Sequence, residues 1–301
     1  MTLRLRTFAP MAMALASAIG CHRLVSRVDS PDAVWPPGSQ DCPLQAWHRG
    51  PIRPDAACVP RVLADTTFRW QHVESPHITA HYLDSTSTAR DPRRSIGRAA
   101  AALVDNLALL GATEYAPHIH LFYVATREQY QRITGGPGTG FTVAWAQAVT
   151  LLAPPEETDP AERHELMHVV SMNLWGVNPL RDYWLREGLA VFATEQCNPG
   201  AIDSTARAML ADGRAKPLRT YRESFFTAGV DNYPAYMLSG SFVKFLVERG
   251  GHDRLREIWA GGVAVMPQVY GATADSLETE WKLSLAAPPH QRGGAARGCL
   301  H

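Results

Sequence analysis

Two histidines and a glutamate in one short run, His164-Glu165-Leu166-Met167-His168, carry the most specific chemical signal in the 301-residue chain. Side chains four apart on an α-helix lie one above the other on the same face. Two neutral imidazoles at that spacing can share one Zn²⁺ ion, each at about 2.0–2.1 Å. Glu165 sits beside that face, where it can take a proton from an activated water without ligating the metal. A hydrolytic zinc site holds three protein ligands and leaves a fourth position for water. Glu187, in Trp184-Leu-Arg-Glu187-Gly-Leu-Ala190, follows His168 after eighteen residues. A helix, a short turn and an antiparallel helix bring that carboxylate back to the first helix's active face. His164, His168 and Glu187 are therefore the expected ligands of one zinc per chain, with Glu165 as general base.

Those groups need two helices to hold them. Asp159-Pro160-Ala161-Glu162 reads as an N-cap, a proline at the first helical position and a glutamate at the third, which together make a capping box. This predicts a helix from Pro160 to about Trp175, ending near Gly176. Asn178-Pro179 repeats the cap logic for a second helix running to about Glu195. Upstream, His77–Leu83, His118–Val124 and Val143–Leu152 read as strands. Ser95–Leu110, stopped by Gly111, reads as a helix, and so does Thr126–Ile133, followed by Gly135-Gly136. Downstream, periodic apolar residues predict helices near 203–212, 236–249, 252–259 and 275–286. Strands followed by helices give an α+β fold class.

HELMH, eighteen residues and the glutamate of WLREGLA together resemble the gluzincins, the peptidase MA-like zinc metallopeptidases that include thermolysin-like peptidases and zinc aminopeptidases. The resemblance covers residues from about 68 to 286. It implies a zincin-like fold, with a small mixed β-sheet subdomain carrying the active-site helix and a mostly helical C-terminal subdomain. It implies that Val143–Leu152 is the edge strand that pairs with substrate. It also implies that Tyr236, opening the stretch Tyr236-Met-Leu-Ser-Gly-Ser-Phe-Val-Lys-Phe-Leu246, hydrogen-bonds the tetrahedral oxyanion; Tyr233, three residues away, is chemically equal. The exopeptidase motif GxMEN is missing before the metal helix, where the chain reads Gly140-Phe-Thr-Val-Ala-Trp-Ala-Gln-Ala148. That departure favours an endopeptidase or a processing peptidase acting on peptide or protein. The acid expected to orient a ligand histidine has two candidates, Glu195 and Asp182. The rival from another class is a non-catalytic envelope lipoprotein that uses a zincin fold as a binding or scaffold module.

Composition bounds the remaining choices. Acidic and basic residues number 29 each, so net charge offers no argument for nucleic acid or for an anionic membrane surface. Arg4 and Arg6 precede an uncharged apolar run from Phe8 to Gly20 that is too short to span a bilayer and reads as a secretory signal. Its end, Ala18-Ile19-Gly20-Cys21, resembles a bacterial lipobox, which implies lipidation of Cys21 and anchorage to an envelope membrane. Residues 22–66 read as an irregular tether, 67–290 as the metallopeptidase domain and 291–301 as a tail. Setting Cys21 aside leaves Cys42, Cys58, Cys197 and Cys299, an even number suited to an oxidising compartment. Three pairings are open to four thiols; Cys42–Cys58 is the favoured local loop, with Cys197–Cys299 tying the tail back. His77, His81, His118 and His120 alternate on strands and raise a second metal site, against the simpler reading of edge or core histidines. Trp145 reads as packing.

Overall fold

The computed structural model describes residues 58–158, 161–176, 178, 182–195, 198–213, 215–226 and 232–286. It begins with α1 (Cys58–Ala64), followed by strands β1 (Gln71–Glu74) and β2 (Ile78–Tyr82). Helix α2 (Pro92–Leu109) crosses over to β3 (Ile119–Val124), and α3 (Arg127–Thr134) leads to the hairpin β4 (Gly140–Val143) and β5 (Ala148–Leu152). The rest is helical: α4 (Glu162–Trp175), α5 (Tyr183–Thr194), α6 (Ala201–Ala211), α7 (Leu218–Ser224), α8 (Asn232–Gly261), α9 (Met266–Tyr270) and α10 (Ala274–Ala286). The architecture is α+β, a small five-stranded sheet with a mostly helical remainder.

Strand order in the sheet is β1-β2-β3-β5-β4. Strands β2, β3 and β5 run parallel at its centre, while β1 and β4 pair antiparallel at its two edges. Parallel neighbours require long crossovers, which α2 and α3 supply. Ile78, Ala80, Ile119, Leu121, Val149 and Leu151 are fully buried on one sheet face, in the main core shared with Leu166, Met167 and Val170 of α4. Phe122, Trp145 and Ala148 face the other side, where Val59 of α1 packs against them.

Local signals explain most boundaries. Helix α2 starts at Pro92, three residues before the sequence expectation, because Asp91 caps it by accepting from the Arg94 amide at 3.0 Å. Helix α3 has a full capping box between Thr126 and Gln129 and ends at Gly135, whose φ of 74° suits a residue with no Cβ. Helix α8 absorbs both segments expected near 236–249 and 252–259 and bends at Gly251, where φ is 76° and ψ 178°.

Three expectations need correction. Val143–Leu152 is not one strand: Ala144–Ala146 forms a 3₁₀ turn and Gln147 takes a left-handed conformation, which folds the segment into a hairpin. As a result β5 has a neighbour on both sides, and the sheet edge next to α4 is β4. Residues 58–64, assigned to the irregular tether, form a helix that packs on the sheet. The active-site helix begins at Glu162, two residues after the expected start, and the Glu162 carboxylate is buried against Arg98 and Tyr123. Asp159 and Pro160 lie outside the described residues, as do Cys21, Cys42, Cys197 and Cys299. Among the described residues no helix is long and apolar enough to cross a membrane.

Candidate metal centre

Helix α4 is buried on almost every side, as expected of a segment whose apolar residues surround the axis. Four contacts fix its first turn. Arg98 donates to both carboxylate oxygens of Glu162, at 2.7 and 2.8 Å, and the Tyr123 hydroxyl donates to Glu162 Oε1 at 2.6 Å. Arg163 pairs with Asp105 at 2.8 Å, and Asn106 Nδ2 donates to the Arg163 carbonyl at 2.9 Å. Arg98, Asp105 and Asn106 all belong to α2, so the helix that carries the two histidines is held in rotation and height by its neighbour. Helix α5 lies against α8 with Gly188 at the crossing. A Cβ there would stand 2.7 Å from the Ser239 carbonyl oxygen, so only glycine permits this approach.

The two helices bring His164, His168 and Glu187 together. Among the described residues these three form the one group able to present three ligand atoms to a metal ion. His164 Nε2 lies 3.2 Å from Glu187 Oε2 and 3.2 Å from His168 Nε2, and His168 Nε2 lies 3.3 Å from Glu187 Oε2. The donor atoms thus make a nearly equilateral triangle. Ligands at 2.0–2.1 Å on a tetrahedral ion are separated from one another by about 3.3–3.4 Å, so the triangle fits one face of a tetrahedral zinc site. The donor set fits as well: two imidazole nitrogens and a carboxylate oxygen suit zinc.

The three groups also shift one another's charge. Burial works to raise the Glu187 carboxyl, but the two imidazoles hold it well below the usual carboxylate range. Burial works to lower His164, and the carboxylates of Glu187 and Glu165 overcome it and raise the imidazole.

Glu165 is buried against the edge strand. Thr142 of β4 donates its hydroxyl to Glu165 Oε2 at 2.6 Å. Gly140, two residues earlier on the same face, leaves the space that the carboxylate fills: a Cβ there would stand 2.3 Å from Glu165 Oε1. The Tyr130 hydroxyl donates to the Gly140 carbonyl at 2.7 Å and steadies the strand. Tyr236 of α8 tilts its ring 6.3 Å from that of His164. Burial, then the carboxylates of Glu187 and Glu165, push its phenol well above the ordinary range, so it stays protonated and able to donate. Tyr233 is partly buried and packs on the main core.

Some residues at the site have no counterpart in the sequence expectations. Thr142 and Gly140 carry no chemical signature of their own. Arg186, buried one position before Glu187, is an unusual residue to bury in a helix, and that anomaly was visible in WLREGLA. Burial disfavours its charge, while Glu187, Tyr183, Tyr236 and Glu165 support it, and its guanidinium lies 5.4 Å from the Tyr183 ring centre.

The two acids expected to orient a ligand histidine lie elsewhere. Glu195 pairs with Lys244 at 2.8 Å and accepts from the Gly200 amide, and Asp182 stands at the N-cap of α5. His168 Nδ1 is buried with no hydrogen-bond partner among the described residues. The strand histidines form no second three-ligand group: His81 Nε2 and His120 Nδ1 share a hydrogen bond at 3.0 Å, and His118 Nε2 lies 2.8 Å from the Thr79 hydroxyl. Trp145 packs with Phe122 and Val59. Compared with known protein families and with curated proteins, the chain matches none.

Proposed function

We propose that this protein is a zinc-dependent peptidase of gluzincin type, built on a zincin-like fold, and acts as an endopeptidase or processing enzyme. The observation that carries the reading is the triangle of His164 Nε2, His168 Nε2 and Glu187 Oε2, with edges of 3.2–3.3 Å, beside a buried glutamate that is not part of it. Zinc held there would supply a Lewis acid that makes water a better nucleophile near neutral pH and polarises a peptide carbonyl.

The chain's own groups would do the rest. Glu165 accepts the proton of the attacking water and delivers it to the nitrogen of the leaving amine. Tyr236 donates a hydrogen bond to the oxygen on which negative charge develops, a role that suits a phenol held protonated by its surroundings. The burial of Glu165, His168 and Glu187 keeps bulk water away, which strengthens each of these interactions. The amino-terminal sequence supports export, with a lipid on Cys21 tethering the domain to an envelope membrane through the residues that follow.

Glu165→Gln tests the mechanism. The amide is nearly isosteric and no ligand is lost, so zinc content and fold should persist while turnover of a peptide library falls by about 100-fold or more. Turnover within about twofold of wild type would rule out Glu165 as the base. Stoichiometric zinc with no turnover in the wild-type protein would favour the non-catalytic scaffold instead.

A further inference from the structure

We propose that Thr142, on the edge strand β4, is a positioning residue for Glu165. In this arrangement its hydroxyl holds Oε2 of the carboxylate, so that Oε1 is the oxygen that exchanges the proton. The inference rests on the reading of Glu165 as the general base and adds a residue to it.

Thr142 Oγ1 lies 2.6 Å from Glu165 Oε2 and 3.1 Å from the Glu165 backbone carbonyl oxygen; its single proton goes to the nearer, charged acceptor, and both residues are buried, at 5% and 7% exposure. A short hydrogen bond from a neutral hydroxyl to a carboxylate is among the stronger ones, and burial removes the water that would compete for it. Thr142 is β-branched, so its χ1 is stiff and the hydroxyl direction is set by the strand. The strand is itself fixed. It pairs with β5 through Thr142↔Val149, and the Tyr130 hydroxyl anchors the Gly140 carbonyl.

The hairpin is also tied to α4 at its far end. Asn173 Nδ2 donates to the Ala144 carbonyl at 3.1 Å, and Gln147 Nε2 donates to Asn173 Oδ1 at 2.8 Å. Strand and metal helix therefore form one unit. Within it, Gly140 leaves room for Oε1 and Thr142 holds Oε2. A glutamate has three rotatable bonds, and on a helix it would otherwise sample several rotamers. One bond from the strand selects the rotamer that holds the carboxylate against β4.

The test uses Thr142→Val, which keeps the shape and removes the hydroxyl, and Thr142→Ser, which keeps the hydroxyl. With zinc bound, Thr142→Val should lower kcat by about 10-fold, the worth of one charge-assisted hydrogen bond, with KM and zinc content within about twofold of wild type. Thr142→Ser should recover most of the loss. In a Glu165→Gln background, Thr142→Val should cause little further loss, because what remains for the hydroxyl is the longer 3.1 Å contact with the residue 165 backbone carbonyl, which orients no base.

A second readout does not depend on turnover. In zinc-free protein labelled with ¹³C at glutamate carboxyls, the Glu165 resonance, assigned by its absence in Glu165→Gln, should move in Thr142→Val and return in Thr142→Ser. If the wild-type protein cleaves no peptide, the peptidase reading fails and this resonance alone decides the contact. An unmoved resonance would overturn the proposal. So would equal kcat in wild type and Thr142→Val, or a full 10-fold loss persisting without Glu165.

Discussion

Gly140→Ala separates the placement of the base from the stability of the fold. A Cβ on residue 140 would stand 2.3 Å from Glu165 Oε1, 2.7 Å from Cδ and 2.8 Å from Cγ. Ordinary non-bonded contact begins near 3.5 Å, so the carboxylate must retreat by about 1 Å. The obstructed atoms are the end of a flexible side chain, so the backbone need not move. The cost to stability is an off-rotamer glutamate, about 0.5–1.5 kcal/mol, and a stretched Thr142 hydrogen bond, about 1 kcal/mol, partly offset by the roughly 0.4–1 kcal/mol that alanine gains over glycine by restricting the unfolded chain. Net stability should fall by less than about 2 kcal/mol. Catalysis should not be spared: a misplacement of about 1 Å costs on the order of 100-fold in rate. The assay is kcat on a peptide substrate, with zinc content and urea denaturation measured on the same preparation. A variant that keeps its zinc and its denaturation midpoint but retains kcat within about threefold of wild type would refute the reasoning. So would one that loses fold and activity together.

Gly188→Ala should do the reverse and act on the fold. Its Cβ would meet the Ser239 carbonyl oxygen at 2.7 Å and carbonyl carbon at 2.9 Å, which are backbone atoms of α8, so the helices must separate. A loss of about 2 kcal/mol or more in urea unfolding is expected, with zinc affinity falling as α5 carries Glu187 away. His81 should make stability depend on acid. Burial, then the neighbouring His120, lowers its pKa from 6.5 to about 4, so the unfolded chain binds a proton more readily than the folded one. Stability linked to this group is complete above pH 6.5 and falls as the pH drops towards 4, and His81→Phe should reduce the slope of the stability profile across that window, leaving the part due to His120, which is shifted the same way.

The parts of this molecule that could be read in advance are those set by local rules. His164 and His168 share a helical face because four residues make about one turn, and Glu187 returns because eighteen residues separate it from His168 and its helix packs against theirs. Thr126, Gln129 and Gly135 mark both ends of α3 by themselves. What escaped was decided by tertiary contacts. Val-Ala-Trp-Ala-Gln-Ala-Val-Thr-Leu-Leu reads as one apolar strand, and its break at Ala144–Ala146 depends on Gln147 being held from outside by Tyr115 and Asn173. Strand β1 reads Gln71-His-Val-Glu74, polar and mostly exposed, and it exists because β2 offers it an edge. Glu162 has the spacing of a capping residue, and its second task, an anchor to Arg98 and Tyr123 far away in sequence, could not be read from that spacing. Thr142 could not be recognised from a strand threonine alone, since its role depends on a helix 23 residues further along the chain.

The most direct test of the zinc assignment is the metal content of the purified protein beside that of a His164→Ala, His168→Ala double variant. The triangle of three donors predicts about one zinc per chain in the wild type. The double variant, left with Glu187 alone, should hold none after dialysis at the same free zinc concentration. Full occupancy persisting in the double variant, or no zinc retained by the wild type, would contradict the account.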